Sequence, residues 1–183
     1  MARIFLAIDL PDPIRDDLSA HAEPSHALAW TPHGQLHLTL RFLGERPRES
    51  LETLAAALSG IRVEPFLLAL GGCGTFPPGE PAQVLWVGVG DGHPRLHQLR
   101  QRIDDTLLRE GIPYELRSFQ PHVTLARLRR GHPANVFQPH LHRLAHYASP
   151  PFRVRGFGLY ESVAGREGVV HQLIATTAFL PIE

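Results

Sequence analysis

The sequence predicts an α+β protein built from two similar lobes around a central cleft, and three observations carry that prediction. Strand-type runs are interleaved with helix-period segments, so both element types share one layered core. Two blocks of the chain, about 36–90 and 121–177, repeat one another: Leu-His-Leu-Thr-Leu at 36–40 returns 85 residues later as Pro-His-Val-Thr-Leu at 121–125, and Pro65-Phe66 returns as Pro150-Pro151-Phe152. Finally, 183 residues with 43% hydrophobic content are enough for one core but few for two unrelated ones, so 1–183 is read as a single domain of two intertwined lobes. Two copies imply a pseudo-twofold; a solenoid would need more repeats.

The elements follow in order. Ile4–Ile8 is a short apolar run of strand type, and 12–20 has helical spacing. Leu36–Leu43 alternates, with Leu36, Leu38 and Leu40 on one face and His37 and Thr39 on the other. A helix is expected over 48–59, where Leu51, Leu54, Ala55 and Leu58 recur three and four apart. Phe66–Leu70 and Val84–Val89 read as strands joined across the Pro/Gly-rich connector Gly71–Pro81. Pro94 opens a helix to 109 whose apolar positions are Leu96, Leu99, Ile103 and Leu107. His122–Leu128, Phe152–Leu159 and His171–Phe179 complete the strands.

Composition removes several chemistries. All 18 basic residues are arginine and none is lysine. A P-loop lysine, Schiff-base catalysis and an ATP-dependent ligase working through a nucleotidyl-lysine are therefore excluded. The single cysteine, Cys73, rules out an internal disulfide or a Cys-based zinc finger and fits a reducing compartment. No run approaches the ~20 apolar residues of a membrane span, and the N-terminal apolar stretch is too short for a secretory signal. The chain is read as a cytoplasmic monomer. Net charge is zero, yet 117–155 holds seven arginines, five histidines and no acid. Such a stretch either attracts a polyanion or pairs with acids elsewhere, Asp9, Asp12, Asp16 and Asp17 among them.

Chemistry concentrates in the duplicated His-x-Thr. Each copy projects an imidazole and a hydroxyl from the cleft face of a strand whose other face is apolar. Two imidazoles divide general-acid and general-base work near neutral pH, and two hydroxyls donate to phosphate oxygens. Arg41 has the parity to join His37 and Thr39. Arg127 has the parity of Val123 and Leu125, so it reaches the cleft only if the strand ends or bulges first. Phe5 and Tyr160 are either core or rings for base stacking. His93 and His97, and His140, His142 and His146, have no carboxylate or cysteine at ligand spacing, so no metal site and no cofactor are expected.

The segments Leu36–Gly44 and Phe119–Arg127 resemble the paired motifs of the two-histidine phosphoesterases. Arg3–Pro11 and Gly158–Ser162 are similar to their RNA 2′,3′-cyclic phosphodiesterase branch, historically named 2′-5′ RNA ligases. The resemblance covers nearly the whole chain. It implies a bilobal fold with a central groove and metal-independent opening of RNA 2′,3′-cyclic phosphates to 2′-phosphate ends. By position it implies His37 as general acid, His122 as general base, Thr39 and Thr124 on the phosphate, and Arg127 on phosphate or base. ATP-independent 2′-5′ joining remains open, since the cyclic ester stores the energy. The alternative is a module that binds RNA ends or nucleotides in the same cleft without turnover.

Overall fold

The computed structural model describes residues 1–79, 81–90, 93–165 and 168–179. Its strands and helices run β1 (Ala2–Asp9), α1 (Asp12–Ser19), β2 (Leu28–Trp30), β3 (His37–Arg46), α2 (Leu51–Ser59), β4 (Phe66–Leu68), β5 (Leu70–Phe76), β6 (Val84–Val89), α3 (Pro94–Arg109), β7 (His122–Leu128), α4 (Gln138–Leu144), β8 (Phe152–Val154), β9 (Gly156–Gly165) and β10 (Gly168–Ala178). The fold is α+β. Its main sheet is open and antiparallel, in the order β10-β9-β1-β3-β7-β6-β5, with β2 also on β7.

The two halves of this sheet meet at one paired position, Leu38 opposite Val123. Beyond it β3 leaves β7, and β2 takes over against Ala126, Arg127 and Leu128. This short seam lets the halves open as two lobes. Residues 38 and 123 are equivalents in the sequence repeat, and so are Leu67 and Arg153, which face each other in the separate β4–β8 ribbon. Antiparallel pairing of equivalent residues is what a pseudo-twofold axis through both points requires.

The apolar faces supply the core. Leu38, Leu40, Val123 and Leu125 are buried under the sheet, and Leu96, Leu99, Ile103 and Leu107 of α3 cover it without exposed surface. Pro94 starts α3 where a missing N–H costs nothing, and Gly111, at φ +75°, lets the chain turn away after its last turn. Among the described residues no helix is long and apolar enough to cross a membrane.

Two expectations change. The connector predicted over Gly71–Pro81 is β strand as far as Phe76, because its glycines serve the sheet. Gly72 takes φ +68° where the β5–β6 register shifts, and Trp86 lies across Gly74 so closely that a Cβ there would come within 2.4 Å of the indole. The runs expected as single strands over 66–70 and 152–159 are each split, into β4 and β5 and into β8 and β9, and the two parts of each belong to different sheets. The strand β2 and the helix α4 have too few periodic positions to be read from sequence.

Candidate active site

β3 and β7 cross the seam side by side, so the Leu38–Val123 pair makes His37, Thr39, His122 and Thr124 neighbours on the cleft face. Both imidazoles are held alike. His37 Nδ1 lies 2.6 Å from the Gln35 carbonyl oxygen, and His122 Nδ1 lies 2.7 Å from that of Gln120. A carbonyl only accepts, so each Nδ1 carries the proton and each Nε2 is left for the cleft. Gln35 and Gln120 are themselves repeat equivalents, 85 residues apart, a signal in the sequence that the paired histidines overshadowed.

The two histidines differ in what surrounds them. His37 rests on Phe5 at 5.1 Å between ring centroids, and its Nε2 accepts from the Thr39 hydroxyl at 3.1 Å. His122 stands among Phe76, at 4.8 Å, and Trp86, at 6.2 Å. Burial pushes the His37 imidazole down to about 4, with His171 and His122 adding to the fall and the Gln35 carbonyl and Asp9 opposing it. Burial also lowers His122, opposed by the Gln120 carbonyl and reinforced by Arg127. Both rings are therefore neutral at pH 7, and a phosphate anion beside them favours protonation of one.

The arginines exchange the places that strict alternation gives them. In β3, Leu6 faces Arg41 and Ala7 faces Thr39, so Leu40 is an extra residue. In β7, Leu85 faces Ala126 and Trp86 faces Thr124, so Leu125 is its equivalent. Each bulge inverts the parity beyond it. Arg41 consequently leaves the cleft face and is 5% exposed, correcting its expected place beside His37. Its guanidinium lies 3.0 Å from Asp104 and 2.9 Å from Glu115 and donates to the Pro113 carbonyl at 2.6 Å. Arg100 joins the same two acids, at 2.7 and 3.2 Å, which sets two buried cations against two partly buried anions. Phe42, 56% exposed and 6.0 Å from Phe5, takes the position that Arg41 vacates. The second bulge turns Arg127 onto the face of His122 and Thr124.

Each bulge is held by a group from elsewhere. Arg100 donates to the Leu40 carbonyl at 2.7 Å. The Thr31 backbone N–H donates to the Leu125 carbonyl at 2.8 Å, and its hydroxyl donates to the Thr124 carbonyl at 2.8 Å.

Against this geometry, a family model described as the 2′-5′ RNA ligase superfamily matches residues 10–166. The chain belongs to the 2′-5′ RNA ligase superfamily. It is similar to an RNA 2′,3′-cyclic phosphodiesterase of Thermus thermophilus, 36% identical over 181 residues that cover 94% of this chain and 87% of that protein. An RNA 2′,3′-cyclic phosphodiesterase of Archaeoglobus fulgidus is 31% identical over 180 residues, covering 93% and 96%. The crystal structure of Escherichia coli LigT complexed with 3′-AMP superposes with a TM-score of 0.75 at 28% identity, covering 97% and 98% of the two chains.

In this member of the superfamily the cleft also holds groups that sequence reasoning missed. The His171 ring, on β10, lies 5.1 Å from that of His37. A cavity of about 510 Å³ opens beside His122, lined by Phe76, Trp86, Phe119, Gln120, His93 and His97. Phe5 and Tyr160 are both buried, stacked on each other at 5.4 Å, with the Tyr160 hydroxyl donating to Asp9 at 2.6 Å. Phe5 is thus the floor under His37. Among the described residues no three His, Cys, Asp or Glu side chains converge as metal ligands would.

Of the seven arginines in 117–155, Arg143 pairs with Glu23. Asp9 and Asp12 pair with Arg15, Asp16 with His33, and Asp17 accepts from Tyr147. The other six have no acidic partner within 4.0 Å among the described residues, which leaves their charge for solvent or a polyanion.

Proposed function

We propose that this chain hydrolyses RNA 2′,3′-cyclic phosphate ends to 2′-phosphate ends, without a metal ion or other cofactor, as a monomer in the cytoplasm. The observation that carries this reading is the matched pair of imidazoles, each with Nδ1 fixed on a backbone carbonyl and Nε2 turned to one cleft. The family membership and the relatives' activity support it. The site is complete within one chain, which supports the monomer, and the lone Cys73 fits a reducing compartment.

In this mechanism His122 takes a proton from water as the water oxygen attacks phosphorus. The bond from phosphorus to O3′ breaks, and His37 gives its proton to the departing O3′. The products are a 2′-phosphate and a free 3′-hydroxyl. Thr39 and Thr124 donate to the non-bridging oxygens, and Arg127 balances their charge. A 5′-hydroxyl in place of the water makes a 2′-5′ linkage by the same bond changes. The arginines of 117–155 that have no acidic partner among the described residues support RNA as the partner. Binding without turnover is not favoured, since fixed arginine charge serves an anion better than two neutral rings.

The test is incubation in excess EDTA with a short RNA ending in a 2′,3′-cyclic phosphate. A 2′-phosphate product is expected; RNA bound but unchanged would overturn the reading, and rescue by added zinc would overturn its metal independence.

The pH dependence follows from the lowered imidazoles. One ring must be protonated and the other neutral, so kcat/KM is bell-shaped with both limbs set by the free protein. Both groups are depressed below 6.5, so the optimum lies on the acid side of 6.5 and activity falls as pH rises from 7 to 8. The bound phosphate anion favours the imidazolium, so the kcat profile is displaced upward in pH. Initial rates from pH 4 to 9 check this; coincident profiles centred above pH 7.5 would contradict it.

A further inference from the structure

The site contains a third imidazole with no role in the chemistry above. β10 is an edge strand, separated from β3 by β9 and β1. In a flat sheet that separation is roughly 14 Å, three inter-strand spacings. The His171 ring nevertheless lies 5.1 Å from the His37 ring, perpendicular to it at 87°, and 4.8 Å from Phe5, edge to face at 75°. The sheet therefore curls until its edge stands over the cleft. His171 Nδ1 is 3.3 Å from the Ser162 hydroxyl on β9, the residue paired with it in register. The Phe5, His37 and His171 rings thus touch one another as the three sides of a triangle, with His37 Nδ1 on Gln35 and Nε2 beside Thr39.

We propose that His171 is a positioning residue for His37. Its ring closes the open side of the His37 imidazole, fixes the rotamer that aims Nε2 at the phosphate, and keeps water from that side. The proposal rests on the two-histidine reading of the cleft. The charged and titratable groups that bear on the pair are Asp9 from β1 and His122 and Arg127 from β7. Burial, then Arg127, lowers His171 itself, so at neutral pH it acts as an uncharged ring.

Two variants and two readouts test this. His171→Ala removes the ring, whereas His171→Phe keeps a ring and removes both nitrogens; the side chain is only partly buried on an edge strand, so both variants are expected to fold. With a cyclic-phosphate RNA, His171→Ala is expected to lower kcat by about tenfold, a fraction of what a proton-transfer group contributes, with KM within twofold. His171→Phe is expected to restore kcat to within about threefold of the parent. Independently of turnover, the His37 ring is titrated by NMR. Its midpoint is expected to rise toward the ordinary imidazole value in His171→Ala, by about one pH unit, and to stay low in His171→Phe.

Unchanged kcat and an unchanged His37 midpoint in His171→Ala would overturn the proposal. So would a raised KM with unchanged kcat that phenylalanine does not rescue, because that marks a direct substrate contact. If the parent protein fails to open cyclic phosphates, the functional reading falls, while the titration still decides whether His171 governs His37.

Discussion

His37→Ala and His122→Ala each lower the turnover of an RNA 2′,3′-cyclic phosphate by about 10²–10⁴, the usual contribution of one general acid or base. The fold is expected to persist, because both side chains leave the sheet on its cleft face while Leu36, Leu38, Val123 and Leu125 anchor the strands from the other. The double variant is expected to lose much less than the product of the single losses, since the two proton transfers belong to one displacement. Circular dichroism with steady-state rates on each variant checks both points. Near-parental activity in either single variant would remove that histidine from the mechanism. The same variants address the order of the two roles. A substrate with a better leaving group than the ribose 3′-oxygen needs no proton donor, so it should restore turnover to His37→Ala and not to His122→Ala.

Arg41→Ala is expected to act on stability and not on chemistry. It leaves Asp104 and Glu115, both partly buried, sharing a single cation, Arg100, and the lost charge-assisted hydrogen bonds cost roughly 1.5–3 kcal/mol. Urea unfolding is expected to show a lower midpoint in this variant. It is also expected to show one transition in both proteins, because the blocks 36–90 and 121–177 are proposed to fold as a single domain. Two separated transitions would contradict the single domain. Unchanged stability with lost turnover would return Arg41 to the cleft.

Much of this site was legible without coordinates. The alternation of apolar and polar residues around His37 and His122 assigns those histidines and their threonines to one face of each strand, and duplication makes chance an inadequate account of them. The same alternation misplaced Arg41 and obscured Arg127, for a single reason. A bulge adds one residue to a strand, and whether it forms depends on whether something satisfies the freed carbonyl. At Leu40 that is Arg100, 60 residues along the chain. At Leu125 it is the backbone of Thr31, on the segment after β2. Neither partner is visible from the strand it stabilises.

His171 was missed on similar grounds. Its position in β10 says which face of the strand it shares, but not that the edge strand curls over two neighbours to meet His37. The sequence by itself determined the α+β class, the two repeated blocks, the apolar faces and the four cleft residues His37, Thr39, His122 and Thr124, because period-2 patterning and duplication are local properties of the chain. Tertiary structure alone decided which arginine faces the cleft, which is buried against acids, and which third imidazole stands over His37. Those outcomes depend on hydrogen bonds and sheet curvature between residues far apart in sequence, and no local pattern encodes them.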